Sequence, residues 1–249
     1  MKDDRRVLIV TGGGRGIGAA VARLAARDGY AVCINYARDD DAAARLVGAL
    51  RAGGADAIAV RGDVAEPDAV RDLFDRAERE LGPVTALVNN AGITGGLGAF
   101  RNADLAMLRR VIDVNLLGTM LCAQEAVRRW ERAGTAGRMV NVSSIAATLG
   151  AAGEYVHYAA TKAAVESFTV GLAKELAAAG VRVNAVSPGT TRTDIHAAAG
   201  DPGRPARVAA VVPMRRVGEP DEIAEAVLWL LSDKASYVTG AVLRVAGGL

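Results

Sequence analysis

Tyr158 and Lys162 stand four residues apart in a predicted helix over 157–179, and this spacing places both side chains on one helix face. Tyrosine has an ordinary pKa near 10, and lowering it by about 3 units takes roughly 4 kcal/mol, part of which a neighbouring ammonium group can supply. The pair therefore predicts proton transfer by Tyr158, although such pairs are also common on solvated helix faces. Tyr155 has no such partner, because Ala159 stands four residues after it.

Two further polar residues stand where chemistry is expected. Ser144 lies fourteen residues before Tyr158, at the carboxyl end of a predicted strand, where its hydroxyl can hydrogen-bond a substrate carbonyl oxygen. Ser143 is adjacent, and neighbouring side chains of an extended segment face opposite ways, so the sequence leaves open which serine faces the site. Asn115 interrupts an apolar helical pattern, and its amide there requires a hydrogen-bonding partner.

The elements that must position these residues alternate along the whole chain. Short β-branched runs predict strands at 6–11, 31–36, 55–61, 86–89, 138–142, 181–187 and 241–245. Amphipathic stretches predict helices near 17–28, 39–52, 67–81, 104–132, 157–179 and 220–232. Right-handed crossovers place helices on both sheet faces. We therefore expect an α/β Rossmann fold, with one doubly wound, seven-stranded parallel sheet in a single domain over 1–249.

A glycine-rich loop follows the first predicted strand and leads into the first helix. The strict spacing G-x-G-x-x-G is not met, but G-x-x-x-G-x-G is present in the strand-turn-helix context. Such glycines let the backbone approach a pyrophosphate at the positive end of a helix. The alternative is a turn without a ligand. The candidate cofactor residues of this loop are Gly12, Gly14, Arg15, Gly16, Ile17 and Gly18.

The end of the second strand distinguishes the two nicotinamide cofactors, since an acid there binds a ribose 2′-hydroxyl and repels a 2′-phosphate. Here the strand ends at Tyr36 without an acid, and Arg15 and Arg38 can clamp a phosphate. We therefore expect NADP(H) to be preferred over NAD(H). Two alternatives remain. The acids at 39–41 can approach the ribose instead of beginning the next helix, which would favour NAD(H). The two arginines can also be solvated surface residues without a phosphate to bind.

Composition narrows the class of protein. The 249 residues carry 30 Lys and Arg against 28 Asp and Glu, a net charge of +2, which argues against nucleic-acid or anionic-membrane binding.

No segment has the roughly 20 apolar residues of a membrane span, and the first apolar run is too short for a signal peptide, so we expect a cytoplasmic protein. Cys33 and Cys122 lie in apolar runs, and His157 and His196 lack metal-ligand spacing, so no metal site is expected.

One long connection, 188–220, stays irregular and contains several prolines and glycines. A connection of this length inside a compact domain is usually a lid or substrate loop. We therefore predict that it covers the substrate.

The motifs together resemble the classical short-chain dehydrogenase/reductase family over the whole chain, within it the 3-oxoacyl-(acyl-carrier-protein) reductase and glucose-dehydrogenase-like branch. The matching features, in family order, are the loop 11–18, Asp63-Val64, Asn89-Asn90-Ala91-Gly92, Asn115, Ser144, Tyr158 with Lys162, and Pro188-Gly189. The interval from Ser144 to Tyr158 is one residue longer than the family's common pattern, which indicates an insertion in 150–154. Because that loop borders the expected substrate pocket, we carry no substrate over from the family.

The resemblance implies roles for the matching residues. Tyr158 would be the general acid in reduction and the base in oxidation, Lys162 would lower its pKa and hold the nicotinamide ribose, and Ser144 would orient the carbonyl. Asn115 would keep a helix irregularity open for a water that relays protons to Lys162. Further cofactor contacts would come from Asp63, Val64, Asn90, Ala91, Gly92, Pro188, Gly189, Thr191 and Thr193. A homotetramer or homodimer would form through the helices at 104–132 and 157–179.

The leading prediction is therefore an NADPH-dependent oxidoreductase that reduces a small-molecule ketone to a secondary alcohol, or runs the reverse, by hydride transfer. An NAD-dependent sugar or secondary-alcohol dehydrogenase is one alternative. A non-catalytic NADP(H)-binding redox sensor is another, but a sensor has no need of all four catalytic candidates together.

Overall fold

The computed structural model describes residues 5–249. Its strands are β1 (Arg6–Val10), β2 (Tyr30–Tyr36), β3 (Ala57–Arg61), β4 (Ala86–Asn89), β5 (Arg138–Val142), β6 (Arg182–Pro188) and β7 (Val242–Val245). They form one sheet in the order β3-β2-β1-β4-β5-β6-β7, with parallel pairing throughout. The predicted fold class is confirmed, and the strand boundaries differ from the sequence prediction by at most two residues, with β4 and β5 as predicted.

Ten α-helices connect the described strands and cover the sheet. They are α1 (Gly16–Arg27), α2 (Asp40–Ala52), α3 (Pro67–Leu81), α4 (Leu105–Ile112), α5 (Gly118–Ala133), α6 (Ala146–Leu149), α7 (Val156–Leu176), α8 (Ile195–Ala198), α9 (Arg204–Ala209) and α10 (Pro220–Leu231). Side chains of α1, α2 and α10 pack in one core layer, and those of α3, α5 and α7 pack in the other. The sheet therefore has helices on both faces.

The alternation of β1 shows how the sequence builds these two layers. Leu8 and Val10 enter the layer with α1, whereas Val7 and Ile9 enter the layer with α3, because successive strand side chains point to opposite faces. All four are fully buried. A continuous apolar run is therefore what a central strand of this fold requires.

The predicted helix 104–132 is interrupted. A π-helical turn, Asp113–Leu117, separates α4 from α5. Asn115 lies in this turn and is fully buried, and its side chain bonds to groups outside the helix. The predicted loop 188–220 also differs in part, because it contains the short helices α8 and α9.

Both cysteines are buried in the core, and burial raises the pKa of each thiol to about 12. Within residues 5–249, no helix is both long and apolar enough to cross a lipid bilayer. In the same part of the chain, no cluster of three or more His, Cys, Asp or Glu side chains is arranged to hold a metal ion.

Candidate functional site

A cavity of about 1190 Å³ opens at the carboxyl ends of the strands, above the point where β1 lies between β2 and β4. The direction of chain progression across the sheet reverses there, which is where open α/β sheets bind ligands. Of the predicted catalytic and cofactor-binding residues, all line this cavity except Gly18 and Asn115. The structure therefore brings together candidates from seven separate segments of the chain.

The glycine loop forms the floor of the cavity beside β1. Gly12 has φ of +60°, and a Cβ there would lie 2.9 Å from the Ala91 Cα. No side chain caps the start of α1, and its first turn contains no acid. The backbone N–H groups at this helix start are therefore available to an anion, and the cradle fits a pyrophosphate.

Gly18 does not face the cavity, so its predicted cofactor contact is corrected to a packing role. A Cβ at this position would lie 2.5 Å from both the Gly12 carbonyl oxygen and the Asn90 Nδ2. The absence of a side chain lets α1 approach the loop. Gly18 thus fixes the cradle without lining it.

Hydrogen bonds join the glycine loop to the segment after β4. Asn90 Nδ2 donates to the carbonyl oxygens of Thr11 and Gly12, both at 3.0 Å. Thr11 Oγ1 accepts from the backbone N–H groups of Asn90 and Ala91, also at 3.0 Å. The side chains of Asn90 and Thr11 therefore join the backbone of the glycine loop to the backbone of the segment after β4.

At the end of β2 the acids are already engaged. Asp39 caps α2 by accepting a hydrogen bond from the Ala42 N–H at 2.9 Å. Tyr36 Oη donates to Asp40 Oδ1 at 2.8 Å. Arg15 and Arg38 are exposed at the cavity, and neither forms an ion pair within residues 5–249.

Asp63 lines the cavity next to Val64, but its carboxylate has protein partners. Arg110 donates to Asp63 Oδ2 at 2.5 Å, and the Ala65 N–H donates to Oδ1 at 3.1 Å. Sequence reasoning missed Arg110, which stands 47 residues away in α4 and belongs to no motif. The ion pair fixes Asp63 at the edge of the cavity.

Tyr158 lies near the start of α7, and its side chain lines the cavity together with the segment 188–220, here called the lid. Burial raises the pKa of Tyr158 to about 12, and the neighbouring Ser144 hydroxyl offsets part of this rise. The phenol is therefore neutral at physiological pH in the protein alone. Neutral Tyr158 holds a proton that it can donate.

The structure distinguishes the two serines. Ser143 is buried, and its one hydroxyl proton has two acceptors within reach, the Glu166 carboxylate at 2.8 Å and the Lys162 carbonyl oxygen at 3.2 Å. Ser144 Oγ accepts from the Ala146 N–H at 3.2 Å, so its own proton can be donated to the Tyr158 phenol oxygen or to a ligand oxygen. Although both residues touch the cavity, Ser144 is the hydroxyl that stands beside Tyr158.

Lys162 lies next to Tyr158 and is bonded to the backbone of β5. Its Nζ donates to the Val142 carbonyl oxygen at 2.7 Å and lies 5.7 Å from the centre of the Tyr158 ring. Burial lowers the pKa of Lys162 to about 8. In the protein alone, burial of the phenol therefore outweighs any lowering of the Tyr158 pKa by this amine.

Asn115 does not reach the cavity, so its place among the catalytic candidates is indirect. Its Oδ1 accepts from the Ile93 N–H at 2.8 Å, and its Nδ2 donates to the Ile93 carbonyl oxygen at 2.9 Å and to Thr161 Oγ1 at 3.1 Å. The side chain joins the segment after β4 to α7. The π-helical turn gives the helix irregularity that the resemblance implies.

Three residues on the lid side of the cavity were not predicted. Arg204 of α9 forms an ion pair with Glu154, and its guanidinium lies 5.1 Å from the centre of the Tyr155 ring. Tyr155 in turn packs edge-to-face on Tyr158, with ring centres 5.3 Å apart. The sequence offers no signal for this cluster, because 50 residues separate the ion-paired groups and no periodicity links them.

Comparison with known proteins agrees with this geometry. Residues 12–249 match the family model described as Enoyl-(Acyl carrier protein) reductase. The uncharacterized oxidoreductase YgfF of Escherichia coli (strain K12) is 44% identical over 97% of this chain and 99% of its own. The cis-4-hydroxycyclohexanecarboxylate dehydrogenase of Sinomonas cyclohexanicum is 45% identical over 98% of this chain and 96% of its own.

A solved structure is similar over nearly the whole length. The blue fluorescent protein from a metagenomic library, in complex with NADPH, has a TM-score of 0.89 and 36% sequence identity, covering 98% of this chain and 97% of that one. The fold, the cavity and the relatives all point to one family. The chain belongs to the classical short-chain dehydrogenase/reductase family and is an oxidoreductase that acts on hydroxyl groups or the corresponding carbonyls.

Proposed function

We propose that the protein uses NADPH to reduce a ketone to a secondary alcohol, or catalyses the reverse reaction, with Tyr158 transferring the proton. The observation that carries this proposal is the neutral, buried Tyr158 beside the Ser144 hydroxyl in a cavity that also contains the glycine cradle. One cavity then contains a proton donor, a hydroxyl that can bind a carbonyl oxygen, and a cradle that can bind the cofactor.

The cavity suits a nicotinamide dinucleotide. The N–H groups at the start of α1 would hold the pyrophosphate, and the segments 63–64, 90–92 and 188–193 would line the remainder of the cofactor. When bound, the nicotinamide would supply the hydride for reduction or accept it in oxidation. Gly18 and Asn115 would act behind this surface as positioning residues.

In the direction of reduction, Ser144 would donate a hydrogen bond to the substrate carbonyl oxygen and favour negative charge on it. Tyr158 would then give its proton to the forming alkoxide oxygen, since its raised pKa keeps the phenol protonated. The charge of Lys162 would stabilise the phenolate that remains. A Lys162 pKa of about 8 leaves most of the amine protonated at pH 7.

The cofactor preference for NADPH rests on charges at the end of β2. Asp39 and Asp40 are occupied by the α2 cap and by Tyr36, whereas Arg15 and Arg38 have no ion-pair partner among the described residues. Two free guanidinium groups favour a 2′-phosphate. The NADPH bound by the metagenomic blue fluorescent protein supports the same choice.

Dissociation constants for NADPH and NADH test this preference. We expect tighter binding of NADPH, and Arg38→Ala should weaken NADPH about tenfold while leaving NADH unchanged, since a charge-assisted hydrogen bond contributes about 1.5–3 kcal/mol. Arg45→Ala, on an exposed face of α2 outside the cavity, is the matched control and should change neither constant. A preference for NADH that survives Arg38→Ala would contradict the proposal.

A screen of NADPH oxidation tests the reaction itself. The panel contains 3-oxoacyl thioesters, keto sugars, ketosteroids and small diketones, with the alcohols tested in reverse. We expect turnover with at least one class. Tight NADPH binding without turnover of any ketone or alcohol would instead support the non-catalytic redox sensor.

We also propose a homotetramer, with a homodimer as the alternative, that pairs α5 and α7 between copies. The outer side of α7 carries the small exposed residues Ala163, Ser167 and Gly171, which permit close helix approach. Light scattering should give about four times the chain mass of 25.6 kDa. The mass of a single chain would refute this assembly.

A further inference from the structure

Arg204 carries a polar atom that the proposed chemistry leaves unexplained. Three buried side-chain polar atoms lack a hydrogen-bond partner within residues 5–249, and the Arg204 Nε is one of them. The Arg204 side chain is 12% exposed and lines the cavity. A buried N–H without an acceptor is costly, so such a group indicates an acceptor that arrives from outside the chain.

The position of Arg204 relative to Tyr158 sets the size of the ligand. Tyr155 bridges the two, at 5.1 Å from the guanidinium and 5.3 Å from the Tyr158 ring, so Arg204 lies within about 10 Å of the Tyr158 ring. A six-membered ring with oxygens on opposite carbons, plus a hydrogen bond of about 2.8 Å at each end, spans about 11 Å. Because the Tyr158 hydroxyl lies beyond its ring centre, a compact cyclic ketone is long enough to reach both groups across this gap.

The walls around this gap are mostly apolar. They include Ile145, Leu149, Ala151, Val208 and Val211. An apolar ring would contact these side chains, and Arg204 would offer it one hydrogen-bond donor. Because most of the surroundings are apolar, that donor decides which ring oxygen is accepted.

The charge of Arg204 is already balanced. Glu154 forms an ion pair with it, and the neighbouring Arg207 forms a second ion pair with Asp201. The four groups have no net charge. A carboxylate ligand would approach Glu154 without compensation, whereas a neutral hydroxyl or carbonyl oxygen can accept from Nε without that repulsion.

We infer that Arg204 is a specificity-determining residue that donates a hydrogen bond to a second, neutral oxygen of a cyclic ketone, on the side of the ring away from the reacting carbonyl. This inference rests on the proposed function, since it names the substrate class of the same site. Glu154 excludes ring carboxylates, and Tyr155 holds the guanidinium in place.

Reduction of three matched ketones tests the inference through kcat/KM with NADPH. The ketones are cyclohexanone, 4-hydroxycyclohexanone and 4-oxocyclohexanecarboxylate. We expect the hydroxyl to raise kcat/KM about tenfold over cyclohexanone, as one well-made hydrogen bond does, and the carboxylate to give no gain. Arg204→Met should abolish the tenfold preference. Arg207→Met, in the same helix but outside the cavity, should retain it.

A second variant keeps the test decisive if Arg204→Met does not fold. Glu154→Gln preserves Arg204 and removes the balancing charge, so reduction of 4-oxocyclohexanecarboxylate relative to cyclohexanone should improve about tenfold. The inference is overturned by equal wild-type efficiency with cyclohexanone and 4-hydroxycyclohexanone, or by a preference that survives Arg204→Met. A wild-type preference for the carboxylate that depends on Arg204 would also overturn it.

The inference and the proposed function fail in different ways. If no ketone of any class is reduced, the proposed function fails. Calorimetry on the complex of Tyr158→Phe with NADPH then still compares the three ligands without turnover. A tighter dissociation constant for 4-hydroxycyclohexanone supports the role of Arg204, whereas equal constants or no binding would refute it.

Discussion

The floor and the lid of the cavity are held together by different interactions. In the floor, formed by the loops that follow the strands, Thr11 and Asn90 join backbone groups, and Gly12 has a neighbour where any Cβ would clash. The lid, 188–220, has backbone hydrogen bonds near its two ends, from the Gly189 N–H to Val245 and from the Met214 N–H to Gly247. Side-chain ion pairs, Arg204 with Glu154 and Arg192 with Glu219, add to these bonds. The floor thus depends more on backbone geometry, whereas the helix α9 of the lid is tied to the loop before α7 by the exchangeable side-chain pair of Arg204 with Glu154.

This difference suggests a division of labour. Backbone geometry restricts which residue types can occupy a position, so the floor keeps one arrangement for proton transfer and cofactor binding. Side-chain pairs can be exchanged without altering the sheet, so the lid can change the choice of ketone. We therefore expect substitutions in the floor to lower the reduction rate of all ketones by a similar factor. Substitutions in the lid should change the rates of different ketones relative to one another.

Among the substitutions that test this comparison, we expect the largest change in rate at the serine pair, Ser143 and Ser144. Ser144→Ala should lower kcat about 100-fold for every ketone, because removal of one hydrogen-bond donor to a developing oxyanion typically costs that much. Ser143→Ala is the matched control and should cost less than tenfold, since its hydroxyl is engaged with Glu166 and Lys162. Losses that differ widely between ketones in Ser144→Ala would break the division between floor and lid.

A smaller effect concerns the stability of the cofactor-free floor. Burial lowers the pKa of Lys162 from 10.5 to about 8, so between these values the unfolded chain binds more protons than the folded chain. The free energy of unfolding should therefore gain about 2 kcal/mol from this group between pH 8 and pH 10. This gain in the free energy of unfolding is complete above pH 10.5, the pKa of Lys162 in the unfolded chain, and is lost as the pH falls through about 8, its pKa in the folded protein.

Urea unfolding at both pH values, compared between the wild type and Lys162→Met, measures this contribution. The variant should lack the gain, whereas other titrating groups contribute equally to both proteins. An identical pH dependence in the two proteins would show that Lys162 is not desolvated as the structure has it.

The same contrast explains what could be predicted from the sequence. The apolar runs of the strands and the glycines of the first loop are local signals, and they predict the seven strands and the glycine cradle. Asn115 was recognisable as a misfit in a helix, but its partners Ile93 and Thr161 were not. The ion pair of Arg204 with Glu154 joins two segments through side chains alone, and no local pattern predicts it.

One predicted helix boundary and the choice between two serines were missed for a related reason. The predicted helix 104–132 reads as one amphipathic stretch, yet the π-helical turn at Asp113–Leu117 divides it. The extra residue in that turn is stabilised by tertiary hydrogen bonds of Asn115, which periodicity does not detect. Similarly, Ser143 and Ser144 were distinguishable only once the position of Glu166 was known.

The most direct test of the central claim is the rate of ketone reduction by Tyr158→Phe with NADPH, alongside Tyr155→Phe. We expect Tyr158→Phe to lower kcat at least 100-fold while the NADPH dissociation constant stays the same, because only the transferable proton is removed. Tyr155→Phe keeps the ring that packs on Tyr158 and should lose less than tenfold. Unchanged turnover in Tyr158→Phe, or an equal loss in both variants, would contradict the assignment of Tyr158 as the proton donor.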